Sequence, residues 1–162
     1  EMKLDISGKV EILNYRPAYK KYFKSLNVEW LEEYFDVEAP DLKVLDDPNG
    51  KIIRKGGQII FAKIGEEMLG TCALVRFNDE TVMLEKMAVT SRSRGKGIGR
   101  KLMVASLEKA REMGFREMYL KTSPLLKAAI ALYESVGFKR TEKYPAKVEG
   151  YKRETFVMRM KL

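Results

Sequence analysis

The 162-residue sequence contains no histidine and only one cysteine, Cys72. Without histidine, the chain cannot use a histidine general base, a Ser-His-Asp triad or a histidine-ligated metal. Acid–base work therefore falls to Glu, Asp, Tyr, Lys or water, and we expect no metal site. A lone cysteine forms no disulfide within the chain, and Cys72 lies among apolar neighbours. This predicts a small buried side chain in a reducing, cytoplasmic setting.

Long apolar runs are also missing. No segment approaches the roughly 20 apolar residues that a membrane-spanning helix needs. The first residues are charged and lack the apolar centre of a signal peptide. Hydrophobic residues make up 45% of the chain and charged residues 33%, which is typical of a globular protein. Because no repeat, linker or low-complexity tract interrupts the chain, we predict one domain over residues 1–162.

Acidic residues are absent from one long segment, residues 86–107, although the whole chain carries a net charge of +8. The cations of this segment are Lys86, Arg92, Arg94, Lys96, Arg100 and Lys101. Such a local excess of positive charge predicts an anionic ligand there, and a generally basic surface is the alternative.

Apolar spacing predicts an alternation of strands and helices. The expected strands cover residues 9–14, 58–64, 68–77, 81–89, 117–122, 138–142 and 155–161, and the expected helices cover 18–35, 40–45, 98–113 and 125–136. Asn27 is expected to divide the first helix by capping a second one. Short polar connections predict an antiparallel meander over 58–89, followed by a parallel step. The fold class is therefore α/β (α+β), a sheet with helices on its faces.

A glycine-rich loop, Arg94-Gly95-Lys96-Gly97-Ile98-Gly99, follows a predicted strand and opens a predicted helix. Glycines let the backbone approach a ligand closely, and a helix N-terminus adds unpaired N–H groups and a favourable dipole. A phosphate or pyrophosphate fits such a site. A P-loop would need Ser or Thr at Gly97, and a dinucleotide fingerprint would need G-x-G-x-x-G rather than G-x-G-x-G.

Together with Leu84–Val89, this loop resembles motif A of the GNAT superfamily of acetyl-CoA-dependent N-acetyltransferases. Arg94, Gly97 and Gly99 fill the family pattern of Gln or Arg, two residues, Gly, one residue, Gly or Ala. Further on, Ala129–Phe138 resembles motif B, A-x-x-L-Y-x-x-x-G-F. The resemblance implies the GNAT fold: a central mixed, mostly antiparallel sheet of about six to seven strands. Helices would flank this sheet, which would be splayed at the acetyl-CoA slot.

The resemblance also implies a reaction and its residues. Acetyl-CoA would be the cosubstrate, and a primary amine of a small molecule or peptide would attack it directly in a ternary complex. Tyr133 would protonate the departing thiolate, and the amide of Val89 would bind the oxyanion. The residues implied to bind the cofactor, through the pantetheine arm or the pyrophosphate, are Met87, Val89, Arg94, Gly95, Lys96, Gly97, Ile98, Gly99 and Arg100.

Two groups of residues are candidates for the acceptor side. Strand alternation would put Glu85 on one face with Met87 and Val89, where it is a candidate general base or a plain ion-pairing residue. The region that often walls the acceptor site in this family contains Trp30, Tyr34, Glu38 and Asp41. The two acids could hold a cationic amine, or they could simply be the solvated end of a packed helix.

Other functions also fit the sequence. The same fold could bind acyl-CoA without catalysis, and the basic charge allows nucleic-acid binding, although no recognition motif is present. We expect neither a nucleic acid nor a membrane as partner. Small amines, amino acids, aminoglycosides, peptide N-termini and protein lysines all fit as acceptors, and a monomer and a homodimer fit equally.

Overall fold

The computed structural model describes residues 8–144 and 152–162. It contains a seven-stranded sheet with helices on its faces. The strands are β1 (Glu11–Asn14), β2 (Gln58–Ile64), β3 (Glu67–Arg76), β4 (Thr81–Val89), β5 (Glu117–Thr122), β6 (Lys139–Thr141) and β7 (Phe156–Lys161). The α-helices are α1 (Lys20–Tyr34), α2 (Ala39–Leu45), α3 (Ile98–Glu112) and α4 (Lys127–Val136).

The strands lie in the order β1-β2-β3-β4-β5-β7-β6. All neighbours pair antiparallel except β4 and β5, which are parallel. A parallel pair needs a crossover, and α3 supplies it between these two strands. The mixed, mostly antiparallel sheet expected from the sequence is confirmed.

The sheet opens between β4 and β5. Their pairing covers only Thr81–Leu84 with Glu117–Leu120, although both strands continue beyond it. A β-bulge lies just past this point, because two β4 residues sit opposite one β3 residue between the pairs Ala73–Glu85 and Thr71–Ala88. Lys86 adopts a left-handed φ of 54° in the bulge. Bulges bend a strand and often end its pairing, which here leaves a gap in the sheet.

Apolar side chains fill both faces of the sheet. On one face, α3 packs through Leu102 and Met103, and on the other α1 packs through Phe23 and Leu31. Gly70 of β3 lets α3 come close, since a Cβ there would lie 2.7 Å from Leu102 Cδ1. Burying a side chain of this size contributes about 1.5–3 kcal/mol, so the two clusters stabilise the packing of α3 and α1 against the sheet.

One predicted feature of the helices is wrong. The α1 helix runs unbroken through Asn27, which is only 2% exposed. Its Nδ2 donates a hydrogen bond to the Phe23 carbonyl at 2.9 Å, so the amide is satisfied inside the helix rather than used as a cap. Within the described ranges, no helix is long and apolar enough to cross a membrane.

Candidate functional site

The glycine loop leads into the start of α3 with a geometry that suits an anion. Gly95 and Gly97 adopt φ values of 81° and 78°, and Gly97 is the N-cap of α3. The N–H of Lys101 donates to the Gly97 carbonyl at 3.1 Å, so the amides of residues 98–100 have no partner within the helix. With no acidic residue in the first turn, these amides and the helix dipole favour a negatively charged group.

A cavity of about 540 Å³ lies against this loop, and we call it the loop cavity. The α1 helix contributes Trp30 and Tyr34 to its wall, and the start of α4 contributes a largely apolar side. The expected cofactor residues that line it are Met87, Val89, Arg94, Gly95, Gly97, Ile98 and Gly99. Lys96 and Arg100, which were also expected to bind the cofactor, do not line it, and both are exposed.

The edge of β4 that faces away from β3 presents backbone N–H groups to the gap. The Thr90 N–H donates to the Leu69 carbonyl of β3 at 2.8 Å. Successive backbone groups of a strand point to opposite edges, so the N–H groups of Val89 and Met87 point away from β3, toward the gap. An extended ligand in the gap can therefore pair with them as an added strand would.

Arg94 ties the glycine loop to α1 and β4. Its guanidinium pairs with the Glu33 carboxylate and lies 5.5 Å from the centre of the Tyr34 ring. Its Nη2 donates to the Val89 carbonyl at 3.0 Å. On the other side of the loop, Arg100 Nη2 donates to Ser135 Oγ of α4 at 3.0 Å. These contacts connect the loop to α1, β4 and α4.

A second cavity, of about 150 Å³, lies deeper in the gap and is called the inner cavity. Its charged lining residues are Asp41, Glu85, Lys86, Lys121 and Arg153. The residues that line both cavities are Trp30, Met87, Leu126 and Tyr133. Two ligands, one in each cavity, would therefore meet beside Tyr133.

Tyr133 sits on α4 at this junction. Its ring packs edge-on against Phe138 with centroids 6.0 Å apart, and it contacts the core cluster on the α3 face. Burial, with a smaller effect of Cys72, raises the pKa of the Tyr133 phenol to about 12. The hydroxyl therefore stays protonated at neutral pH and can donate a proton or a hydrogen bond.

Glu85 lies on a different face from the one that strand alternation predicted. The bulge at Lys86 shifts the alternation by one residue, so Leu84 shares a face with Met87 and Val89. Glu85 instead pairs with Ala73, whose side chain belongs to the cluster on the α1 face. The expectation of a shared face was wrong, yet Glu85 still lines the inner cavity. Burial raises the pKa of its carboxyl, and the charges of Lys86 and Lys121 oppose this shift.

The acid pair expected to hold a cationic acceptor already has partners within the chain. Asp41 is fully buried and lies 2.9 Å from Lys86 Nζ and 2.7 Å from Arg153 Nη2. Burial alone would raise the pKa of Asp41, but hydrogen bonds from Arg153 and Lys86 outweigh it and lower the pKa. Glu38 forms a capping box with Asp41 at the start of α2 and lies 3.6 Å from Arg153.

The two aromatic residues expected in the wall, Trp30 and Tyr34, differ in the cavities that they line. Trp30 lines both cavities, whereas Tyr34 lines only the loop cavity and is 43% exposed. The two rings lie 5.2 Å apart, so they form one continuous aromatic wall along the end of α1.

Sequence reasoning missed five polar residues of the inner cavity, which are Lys121, Thr122, Ser123, Arg153 and Thr155. Burial lowers the pKa of the Lys121 ammonium to about 8, with Glu85 opposing and Lys86 and Arg153 adding to the shift. The buried Thr122 hydroxyl has no hydrogen-bond partner within the described part of the chain. No local motif marks these residues, because they come from the end of β5 and from the segment before β7, and only the fold brings them beside β4.

Comparison with known proteins supports one family. Residues 17–138 match the family model described as Acetyltransferase (GNAT) family. The chain is 42% identical over 73 residues to the uncharacterized N-acetyltransferase YjgM of Escherichia coli, a match that covers 45% of this chain and 44% of that protein. The chain therefore spans less than half of that relative's length.

Solved structures share the fold. An acetyltransferase from Streptococcus agalactiae superposes with a TM-score of 0.80 at 24% identity, covering 94% of this chain and 98% of that one. A GNAT family acetyltransferase from Elizabethkingia anophelis, solved with acetyl-CoA bound, superposes with a TM-score of 0.69 at 19% identity, covering 94% and 98%.

Proposed function

Because the chain belongs to the acetyltransferase (GNAT) family, we propose that it transfers an acetyl group from acetyl-CoA to a primary amine of a small molecule or peptide. The amine attacks the thioester directly in a ternary complex. The observation that carries this proposal is the junction of the two cavities at Tyr133, which gives a donor and an acceptor separate places and one meeting point. Holding two reactants together in this way is a large source of rate enhancement.

Acetyl-CoA takes the loop cavity in this proposal. Its pyrophosphate binds the amides of residues 98–100 at the start of α3, and its pantetheine arm pairs with Met87 and Val89 along the open edge of β4. The thioester then lies at the junction, next to Tyr133. The unpaired amides on one side of the cavity suit the charged pyrophosphate. The apolar wall of Leu125 and Leu126 on the other side suits the pantetheine arm.

The chemistry follows from the groups at the junction. The amine nitrogen attacks the thioester carbon, the carbonyl electrons move to oxygen, and the amide of Val89 donates to the resulting oxyanion. The C–S bond then breaks, and Tyr133 gives its proton to the departing thiolate. Glu85 takes the proton that the attacking amine loses, directly or through water. Its raised pKa brings the carboxylate closer to the range in which a base works well.

The burial of Cys72, the one cysteine of the chain, disfavours a mechanism with an acetyl-cysteine intermediate. Cys72 is fully buried, and burial raises the pKa of its thiol to about 12. The thiolate, which is the nucleophilic form, is therefore scarce at neutral pH. This supports direct attack in a ternary complex.

The test is an acceptor panel with acetyl-CoA, scored by release of free thiol. Amino acids, polyamines, aminoglycosides and short peptides cover the acceptor classes. We expect thiol release with at least one class, intersecting initial-rate lines when both substrates are varied, and no acetylated protein by mass spectrometry with acetyl-CoA alone. Tight acetyl-CoA binding with no thiol release from any acceptor would instead indicate a non-catalytic acyl-CoA-binding module.

A further inference from the structure

The gap between β4 and β5 has a polar side chain on each face of the sheet. On β4, Glu85 lies on the α1 face, where its pairing partner Ala73 belongs to the α1 cluster. On β5, Met118 and Leu120 belong to the cluster on the α3 face, and strand alternation places Thr122 on that same face. Glu85 and Thr122 both line the inner cavity, which therefore reaches through the gap from one face to the other.

The hydroxyl of Thr122 is buried and has no hydrogen bond to any described residue. Thr122 is only 4% exposed, and its Oγ1 has no partner within the described part of the chain. Its backbone pairs with Phe156 of β7, so the strand fixes where the side chain points without giving the hydroxyl a role. Buried polar atoms are nearly always hydrogen-bonded, so an unpartnered hydroxyl in a cavity wall points to a ligand in that cavity. Thr122 lines only the inner cavity, beside Tyr133, which lines both.

We propose that the Thr122 hydroxyl accepts a hydrogen bond from the attacking amino group and that, together with Glu85, it selects primary amines over secondary ones. This inference rests on the proposed acetyl transfer, in which the acceptor occupies the inner cavity. An amino group in the gap lies between the two faces of the sheet, with Glu85 on one side and Thr122 on the other. One N–H bond can then point to each oxygen, and the nitrogen lone pair remains for the thioester carbon.

The hydrogen atoms of the reaction support this division of roles. When the new N–C bond has formed, the nitrogen of a primary amine carries two hydrogens and a positive charge. Glu85 takes one of them as a proton, and the other stays on nitrogen in the amide product, where Thr122 can hold it throughout. A secondary amine has only one hydrogen at this stage, so its transfer to Glu85 leaves Thr122 without a donor. A buried group without its partner costs free energy, and the site therefore disfavours secondary amines.

The experiment compares primary amines with their N-methyl derivatives as acceptors, for example alanine with N-methylalanine, or a glycine-starting peptide with the same peptide starting with sarcosine. The variant Thr122→Val replaces the hydroxyl by a methyl group of similar size. We expect it to lower kcat/KM of the primary amine by about 3–10-fold, the size of one hydrogen bond, and to change that of the N-methyl derivative little. Thr122→Ser keeps the hydroxyl and should keep the wild-type values for both acceptors.

Three kinetic outcomes would overturn the inference while leaving acetyl transfer intact. The first is an unchanged rate on the primary amine in Thr122→Val. The second is an equal fall for the primary amine and its N-methyl derivative, and the third is a loss in Thr122→Ser as large as in Thr122→Val. The last two would mean that the side chain packs against the acceptor and does not bind its N–H group.

The stability of the free protein distinguishes substrate binding from packing. Thr81 is the matched control, because it is also 4% exposed, lines neither cavity, and donates its hydroxyl to Glu117 Oε1 at 2.9 Å. Thr81→Val should lower the urea midpoint of unfolding and leave the kinetics unchanged. Thr122→Val should keep or raise the midpoint, because no partner within the described chain loses a hydrogen bond. A fall in Thr122→Val as large as in Thr81→Val would mean that the hydroxyl serves the fold, and would overturn the inference.

Binding separates this inference from the proposed function. The same amine pairs are titrated into the CoA-loaded protein by calorimetry. If no pair releases thiol, acetyl transfer to these amines fails, yet tighter binding of the primary amine, lost in Thr122→Val, would still support the contact with Thr122. In that case, equal binding of the primary and N-methyl amines, or no binding of either, would overturn it.

Discussion

At the scale of single residues, Tyr133 is the side chain on which the proposed mechanism most depends. Tyr133→Phe keeps the ring and its packing against Phe138 and removes only the hydroxyl. We expect a folded protein with nearly unchanged acetyl-CoA affinity. Turnover should fall by about 10²–10⁴-fold, the usual contribution of general acid catalysis. Steady-state rates on the best acceptor, together with calorimetric titration of acetyl-CoA, check this prediction.

The matched control for this variant is Tyr22→Phe, because Tyr22 lies on α1 and lines neither cavity. Its turnover should equal that of the wild type. If Tyr133→Phe also keeps the wild-type rate, Tyr133 is a packing residue, and water or the substrate protonates the thiolate.

Glu85 gives a prediction about pH at the same scale. A general base works in its deprotonated form, and burial raises the pKa of this carboxyl above its ordinary range. The rate should therefore fall as the pH drops through that raised pKa, at a higher pH than an ordinary glutamate would cause. Glu85→Gln should lower kcat and remove this acidic limb from the profile of kcat/KM. An identical acidic limb in the variant would assign the titration to another group.

At the scale of elements, the glycine loop at the start of α3 gives a prediction about acetyl-CoA binding. Gly97 has a φ of 78°, and a β-branched side chain in this left-handed region costs about 1–3 kcal/mol of strain. Gly97→Val should shift the loop or crowd the amides of the first turn. We expect acetyl-CoA affinity to fall by at least tenfold, about 1.4 kcal/mol, in calorimetry.

Gly65 offers a matched control, because it also has a positive φ, 58°, with open space around its Cα, in the turn between β2 and β3. Gly65→Val should lose similar stability and keep its acetyl-CoA affinity. Wild-type affinity in Gly97→Val would mean that the cofactor phosphates bind elsewhere.

The packing of α2 against the sheet depends on Asp41. Asp41→Asn leaves the buried cations of Lys86 and Arg153 without their shared carboxylate, and breaking such a buried network costs about 3–5 kcal/mol. Urea unfolding at neutral pH should show this loss. Because the pKa of Asp41 is lowered in the folded state, its stabilisation is present above the unfolded-state pKa and disappears as the pH falls through the folded-state pKa. The difference between the variant and the wild type should therefore shrink in acid.

Asp46→Asn is the control for Asp41→Asn. Asp46 caps the C-terminus of the same helix and pairs with Lys24 at 2.6 Å, but both side chains are about half exposed. Exposed ion pairs contribute at most about 1 kcal/mol. If the two variants lose equal stability, the Asp41 network does not stabilise the fold as its burial implies.

These elements also show what the sequence could predict. The glycine loop and the succession of strands and helices along the chain follow from local patterns, since turns, apolar spacing and capping depend on near neighbours. The bulge at Lys86 could not be predicted in this way, because a lysine at positive φ has no local sequence signature. The bulge shifts the alternation of side chains along β4, and Glu85 therefore lies on the other face of the sheet. The partners of Asp41 come from distant parts of the chain, so the acid pair looked available for a ligand.

At the scale of the whole molecule, the net charge of +8 is unevenly distributed. Lys86, counted with the glycine-loop cations from the sequence, instead points into the Asp41 network, and Arg94 pairs with Glu33. The cations left exposed around the loop are Arg92, Lys96, Arg100 and Lys101. The positive charge left exposed to solvent therefore lies beside the loop cavity, whereas Lys86 belongs to a buried ion-pair network with Asp41.

The affinity of the exposed region for the cofactor should depend on salt. The exposed cations attract the phosphates of acetyl-CoA through solvent, where the screening length falls from about 10 Å at 0.1 M salt to about 3 Å at 1 M. The Kd of acetyl-CoA should therefore rise several-fold over this range. The Kd of a short acetylated pantetheine, which lacks phosphates, should stay nearly constant and provides the control. An acetyl-CoA affinity that is flat in salt would mean that the backbone amides of the loop, and not the surrounding cations, carry the recognition of the phosphates.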